Sequence, residues 1–201
     1  MDEAEAYHVL ALAQAGDHEA FALLHDQLAP PLTRFVFRLL GDAQDAEDVV
    51  QDTLMTLYLH LDDINPPEKL RPYVYRVARN RCYDRLRRSG RYEQVAMEDD
   101  EQPLSVRVSF TQSTQDVAPD DAAHWLLLQL EVSDAMARLP ELQRQTLTLY
   151  AEDGMSYAEI AEIMGVSIGT VKSRLFNAKQ SLRRMLPRAT ISAIEEGGTS
   201  D

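Results

Sequence analysis

Residues 156–186 read SYAEIAEIMGVSIGTVKSRLFNAKQSLRRML, and the punctuation of this stretch prescribes two helices meeting at a three-residue turn. Ser156 followed three residues later by Glu159 is a capping box, in which hydroxyl and carboxylate each satisfy a free backbone N–H at a helix start. Ile160, Ala161 and Met164 recur at helical spacing, Gly165 stands where a tight turn needs positive φ, and Ser167 is placed to cap a second helix. Small Ala161 permits close approach of that helix. Its Val171 and Leu175 face inward, which leaves Thr170, Lys172, Ser173, Arg174 and Asn177 outside. This is the geometry of a helix-turn-helix that reads a DNA groove.

The charge of the second helix strengthens that reading. From Ile168 to Arg188 there are six basic residues (Lys172, Arg174, Lys179, Arg183, Arg184 and Arg188) and no carboxylate, whereas a merely solvated helix mixes both signs. The formal net charge of −13 would repel a polyanion if it were evenly spread, but it is not. Between Arg71 and Tyr92 eight arginines face one carboxylate, Asp84, a local balance of +7. With the +6 of the C-terminal helix, two segments carry +13, so the rest of the chain carries −26. Two basic surfaces sit on an acidic body.

The chain of 201 residues suits one or two domains, and its 45% hydrophobic content is ordinary for globular structure. Cys82 is the only cysteine, so no internal disulfide can form and no thiolate cluster exists for zinc; the five histidines lack ligand spacing. Neither a metal nor a cofactor is expected, and no glycine-rich phosphate loop appears. With no apolar run of membrane-spanning length or signal-peptide character, a soluble cytoplasmic protein without membrane insertion is the expectation. Helical periodicity fills about residues 2–92, with interruptions at Pro30-Pro31, Gly41-Asp42 and Asn65-Pro66-Pro67. It fails through an acidic, polar linker at 93–121. It resumes over 122–188, broken at Leu139-Pro140 and Asp153-Gly154, and 189–201 is a tail ending in acidic residues. No sustained β alternation occurs. The predicted fold is all-α: two small helical domains, the second holding the helix-turn-helix.

Within the first block, Asp45 to Leu61 (DAEDVVQDTLMTLYLHL) is the clearest amphipathic helix. Val49, Val50, Leu54, Leu57, Tyr58 and Leu61 form its apolar stripe, while Asp45, Asp48, Gln51, Asp52 and Met55 occupy the other side. Acidic residues in the first turns suit the helix dipole, and so one-sided a polar face also suits docking on a basic partner. The arginine-rich helix opens near Pro72. At a hundred degrees per residue Val74, Ala78 and Cys82 make its apolar stripe, with Tyr73, Arg76, Asn80, Tyr83 and Arg87 opposite. Arginine supplies phosphate contacts and tyrosine a flat face for an unstacked base, a combination suited to single-stranded or melted DNA. Tyr73 and Tyr75 can equally pack in the core. Arg81 and Arg85 project toward the buried stripe, where they snorkel or pair with acidic neighbours.

The succession DAEDVVQDT, RPYVYRVARNRCYDRLRR, an acidic linker, and LPELQRQTLTLYAEDGMSYAEIAEIMGVSIGTVKSRLFNAKQSLRRML resembles the bacterial extracytoplasmic-function sigma factors of RNA polymerase over nearly the whole chain. The resemblance implies a non-enzymatic, two-domain initiation subunit. It gives Asp45, Asp48, Gln51 and Asp52 a docking role on the clamp helices of the largest catalytic subunit of core RNA polymerase. It assigns Tyr73, Arg76, Asn80, Tyr83, Asp84 and Arg87 to recognition and melting of the −10 promoter element. Thr170, Lys172, Ser173, Arg174, Phe176 and Asn177 fall in or beside the major groove at the −35 element; family members often carry arginine where Asn177 stands, which leaves base preference open. An anti-sigma factor joins core polymerase and promoter DNA among the implied partners, and the linker carboxylates could imitate nucleic-acid phosphates. The helix-turn-helix also resembles the output domain of response regulators, which would make the chain a duplex-binding regulator. That class needs a receiver of alternating strands and helices, and the first block lacks the pattern.

Overall fold

The computed structural model describes residues 3–91 and 119–197, and every regular element among them is helical. In chain order these are α1 (Glu3–Gln14), α2 (His18–Leu40), α3 (Ala43–Leu59), α4 (Leu70–Arg88), α5 (Pro119–Ala137), α6 (Glu141–Ala151), α7 (Tyr157–Met164), α8 (Ile168–Met185) and α9 (Arg188–Gly197). Two short 3-10 turns, Leu61–Asp63 and Pro67–Lys69, lie between α3 and α4. The acidic linker falls outside the described residues as far as residue 118, and regular structure resumes at Pro119. By packing, the chain forms two compact units: α1–α4 with residues 148–171, and α5 with the stretch up to 147 and residues from 172 onward.

In the first unit the helix boundaries follow local chemistry. Asp17 caps α2 by accepting hydrogen bonds from the N–H groups of Glu19 (2.9 Å) and Ala20 (3.2 Å). Gly41, at φ 72°, closes α2 with its N–H on the Phe37 carbonyl at 2.8 Å, and Asp42 at once caps α3 by accepting from the Asp45 N–H at 2.9 Å. The expected interruption at Pro30-Pro31 does not occur, because α2 runs through both prolines. Two lost backbone donors disfavour a helix there. Leu24 and Leu28 on one side and Leu32, Phe35 and Val36 on the other are all buried, however, and each large side chain gains about 1.5–3 kcal/mol from full burial. Tertiary packing holds the two halves as one helix.

The α3 stripe is buried at Val49, Val50, Leu54 and Leu57, with Leu61 just beyond, but Tyr58 departs from the prediction: it is 45% exposed and meets Phe21 edge-on, ring centroids 4.9 Å apart. Thr53 takes an unpredicted place in the stripe, its hydroxyl satisfied by the Val49 carbonyl at 2.7 Å. The loop after α3 is tied back to α1 by Gln14, whose Nε2 donates to the carbonyls of Leu61 (2.8 Å) and Ile64 (3.1 Å). Helix α4 starts two residues before the predicted Pro72 and buries Val74, Ala78 and Cys82 as its spacing requires, together with Tyr75. The Tyr75 ring packs on Phe35, centroids 5.1 Å apart.

The second unit is pinned by polar contacts as well as by Leu128, Leu139 and Leu147. Glu141 at the start of α6 is buried, paired with buried Arg144 one turn on, and accepts from Gln145 Nε2 at 2.7 Å. Arg144 also donates to the Ala137 carbonyl at 3.3 Å, closing the break at Leu139-Pro140. The residues expected to form a tail include helix α9, where buried Thr190 donates its hydroxyl to Glu131 of α5. A hydroxyl–carboxylate contact between helices has no periodic signature.

Candidate nucleic-acid interface

The helix-turn-helix forms as its punctuation dictates. Both halves of the capping box are made: the Glu159 N–H donates to Ser156 Oγ at 3.3 Å, and the Ser156 N–H to Glu159 Oε2 at 2.8 Å. Gly165 takes the left-handed φ of 67°, and the Thr170 N–H donates to Ser167 Oγ at 3.1 Å. Ile160, Ala161 and Met164 are buried on α7, and Val171, Leu175 and Ala178 on α8. Lys172, Ser173, Phe176 and Asn177 are exposed, while Thr170 and Arg174 are half-buried. Phe176 is 66% exposed, a large apolar group turned outward among cations, where it can meet a base edge such as the thymine methyl.

On α4, Tyr73, Arg76, Asn80, Tyr83 and Arg87 share a sector of roughly 80°. Arg76, Asn80 and Arg87 are exposed; both tyrosines are half-buried, with a guanidinium over each ring: Arg76 lies 6.0 Å from the Tyr73 centroid and Arg79 lies 4.5 Å from that of Tyr83. Arg79 also donates to the Tyr83 hydroxyl at 3.3 Å, and Asp84 pairs with Arg87 at 2.9 Å. Arg79 is absent from the residues expected at this face, although its spacing of four from Tyr83 is a usable signal.

Helix α3 exposes Asp48, Gln51 and Asp52 and leaves Asp45 partly covered. Its carboxylates are not idle. One terminal nitrogen of Arg85 reaches Asp45 at 2.5 Å and Asp48 at 3.2 Å, while Arg81 reaches Asp52 at 3.3 Å and donates to the Thr56 hydroxyl at 2.7 Å. The Asp45 hydrogen bond holds the Arg85 guanidinium above its usual range. Of the two readings open for Arg81 and Arg85, pairing with acidic neighbours is the one realised. Toward the C-terminal end of the same helix, Met55 (59% exposed) and Leu59 (71%) make the outward surface apolar.

Residues 152–162 make a contact with α4 that no local sequence pattern foreshadows. The Tyr75 hydroxyl donates to Asp153 Oδ1 at 3.1 Å, Arg71 donates to the Asp153 carbonyl at 2.6 Å, Arg76 lies 3.7 Å from Glu162, and Arg38 of α2 pairs with Glu152. Asp153 Oδ2 is buried with no hydrogen-bond partner. Burial pushes the Asp153 carboxyl above its ordinary range, against the opposing pull of the Tyr75 hydroxyl and of Arg38. Burial and the neighbouring carboxylate raise Tyr75 as well.

Sigma-70 region 2 matches residues 24–92, and Sigma-70 region 4 matches residues 129–182. The ECF RNA polymerase sigma factor SigL of Mycobacterium tuberculosis is 34% identical over 175 residues, covering 87% of this chain and 93% of its own. The chain belongs to the extracytoplasmic-function sigma factors. The ECF RNA polymerase sigma factor SigW of Bacillus subtilis is 28% identical over 172 residues, covering 85% of this chain and 91% of its own. Among solved structures, the sigma factor RpoE of Bartonella quintana, in complex with the anti-sigma factor NepR, superposes with a TM-score of 0.62 at 26% identity, over 82% of this chain and 95% of that one. As a sigma factor the protein directs RNA polymerase to promoters. The response-regulator alternative is set aside, since region 2 occupies the place where a receiver would stand. Among the described residues no helix is long and apolar enough to cross a membrane, and no cluster of three metal-ligating side chains occurs.

Proposed function

We propose that this sigma factor divides its labour among three helical surfaces. The outer face of α3, through Asp45, Asp48, Gln51 and Asp52, grips the basic clamp helices of the largest subunit of core polymerase. The exposed sector of α4, through Tyr73, Arg76, Asn80, Tyr83, Asp84 and Arg87, takes up the −10 element and holds it melted. The outer face of α8, through Thr170, Lys172, Ser173, Arg174, Phe176 and Asn177, lies in the major groove at the −35 element. In this scheme residues 1–92 and 122–188 act as separate domains joined by the linker 93–121, with 189–201 appended.

The observation that carries the scheme is the two-sidedness of α4: a stripe of Val74, Ala78 and Cys82 is buried while arginine, asparagine and tyrosine share the opposite sector. Unstacking a base step costs a few kcal/mol, and stacking on an aromatic ring returns about 1–3 kcal/mol per base. Two tyrosines with flanking arginines suffice to hold a short bubble without any bond being made or broken in DNA, so the protein acts in the cytoplasm as a binding subunit and not as an enzyme. Each good base contact discriminates by only about 1–3 kcal/mol, so selection needs both readers, joined by a tether that raises their effective concentration. The RpoE structure carries an anti-sigma factor, and an inhibitor of that kind belongs to the same scheme. A reconstituted transcription assay tests it: core polymerase makes RNA from a cognate promoter only when this chain is added, whereas tight duplex binding by the free chain with no effect on core would overturn it.

A further inference from the structure

We infer that Arg79 is a positioning residue for promoter melting: its guanidinium backs one face of the Tyr83 ring and holds the other face as the seat for an unpaired base of the −10 element. The inference rests on the assignment of Tyr83 to that element; Arg79 itself stands outside the set assigned there. The Arg79 guanidinium carbon lies 4.5 Å from the Tyr83 ring centroid, and the same side chain donates from Nη2 to the Tyr83 hydroxyl at 3.3 Å. The two residues are four apart on α4, about 6 Å along the axis and roughly 40° around it, so the pair is built on a single helix. Both side chains are half-buried, which places the stack at the rim of the exposed sector and not in the core.

The two contacts fix different things. Stacking sets the plane of the ring, and the hydrogen bond to the hydroxyl sets the direction in which the ring points. A surface tyrosine otherwise turns about two side-chain torsions, and an incoming base must immobilise both before stacking stabilises the complex; a ring already held spares that loss of entropy. With a guanidinium on one face, only the opposite face can receive a base, so the seat has one orientation. A planar guanidinium can lie on a ring and still donate from its edge, which a compact ammonium group does less well. Tyr73 lacks this arrangement. Its cation, Arg76, lies 6.0 Å from the ring centroid, at the limit of such contacts, and also pairs with Glu162 at 3.7 Å.

The test uses holoenzyme reconstituted from core polymerase and each full-length variant, with a forked promoter duplex whose −10 non-template strand is unpaired and carries 2-aminopurine at each unpaired position in turn. Titration gives the affinity, and quenching of 2-aminopurine at saturation reads the base stacked on an aromatic ring. Tyr83→Ala should weaken fork binding by about tenfold or more and restore fluorescence at one position. Arg79→Ala should weaken it by about two- to fivefold and restore part of the fluorescence at that same position. Added to Tyr83→Ala, the Arg79→Ala change should have no further effect, because the ring it backs is gone. The slope of log affinity against log salt should stay at the parent's value in Arg79→Ala, whereas loss of a phosphate contact on a single strand makes it shallower by about 0.7. Losses that multiply in the double variant, a slope shallower by about 0.7, or unmoved fluorescence in Arg79→Ala would each overturn the positioning role while leaving Tyr83 at the −10 element. A Tyr83→Ala chain that binds the fork as tightly as the parent overturns the −10 assignment of Tyr83 itself, and the seat with it.

Discussion

Asp48→Arg puts the docking face to its sharpest test. Asp48 is half exposed, with 54% of its side chain open, and its ion pair to Arg85 at 3.2 Å is a surface pair worth about 0.2–1 kcal/mol. Arg85 keeps its closer partner Asp45 at 2.5 Å, so the loss to the fold is about 1 kcal/mol or less, a fall of roughly 2–4 °C in melting temperature for a chain of this size. Docking should suffer far more. Removing one partner of a charge pair that becomes desolvated in an interface costs about 2–5 kcal/mol, and an arginine adds repulsion. At 1.4 kcal/mol per decade that weakens core binding by about 30-fold to a few thousand-fold. The assay is fluorescence anisotropy of labelled protein titrated with core polymerase at fixed salt, with thermal unfolding by circular dichroism in parallel. Asp63→Arg changes net charge equally but lies in the 3-10 turn beyond α3, 77% exposed and paired with His60, and should shift binding by less than about threefold. Arg85→Gln carries the opposite sign: it frees Asp45 and Asp48 from an internal competitor and should tighten binding by up to about fivefold. Equal losses for Asp48→Arg and Asp63→Arg would mean that bulk charge, and not the α3 face, governs association, and the reasoning would fail.

Tyr75→Phe keeps the ring on Phe35 but strips Asp153 of its hydroxyl donor, which costs about 1–3 kcal/mol. Burial raises the folded carboxyl and the Tyr75 hydroxyl pulls it back down, so loss of the hydroxyl raises the carboxyl further and the variant gains more stability than the parent as pH falls through the folded carboxyl's range; the deficit in urea unfolding should therefore shrink from neutral toward acid pH, and a constant deficit would refute the assignment. Arg174→Ala should weaken binding to an upstream-element duplex and reduce the slope of log affinity against log salt by about 1, a change that salt titration reads directly. Ser156→Ala removes one half of the capping box and should cost about 1 kcal/mol of stability with no change in the α8 contacts to DNA, as urea unfolding and footprinting together would establish.

Features set by neighbours along the chain are legible in the residues themselves. The capping box at Ser156 and Glu159, the left-handed turn at Gly165, the stop at Gly41-Asp42 and the apolar stripe Val74–Ala78–Cys82 are decided within one or two turns of helix, and each stands where its residues place it. Signals dependent on distant partners mislead or stay silent. Two prolines announce a break that the shared core of Leu24, Leu32 and Phe35 overrides, and Tyr58 has the spacing of a core residue although its neighbour Phe21 holds it at the surface. Asp153 has the local context of turn punctuation only; its partner Tyr75 lies 78 residues away.

Local hydrogen-bonding chemistry and helical periodicity, both written in the sequence, determined an all-α chain, its helix-turn-helix and the segregation of opposite charges onto separate helices. Tertiary structure alone decided how those charges are spent: Arg81 and Arg85 on the α3 carboxylates, Arg71 and Arg76 on the 152–162 segment. The reason is range. A cap or a stripe needs neighbours within a few residues, whereas an ion pair needs only proximity in space, which the order of residues does not encode until the chain has folded.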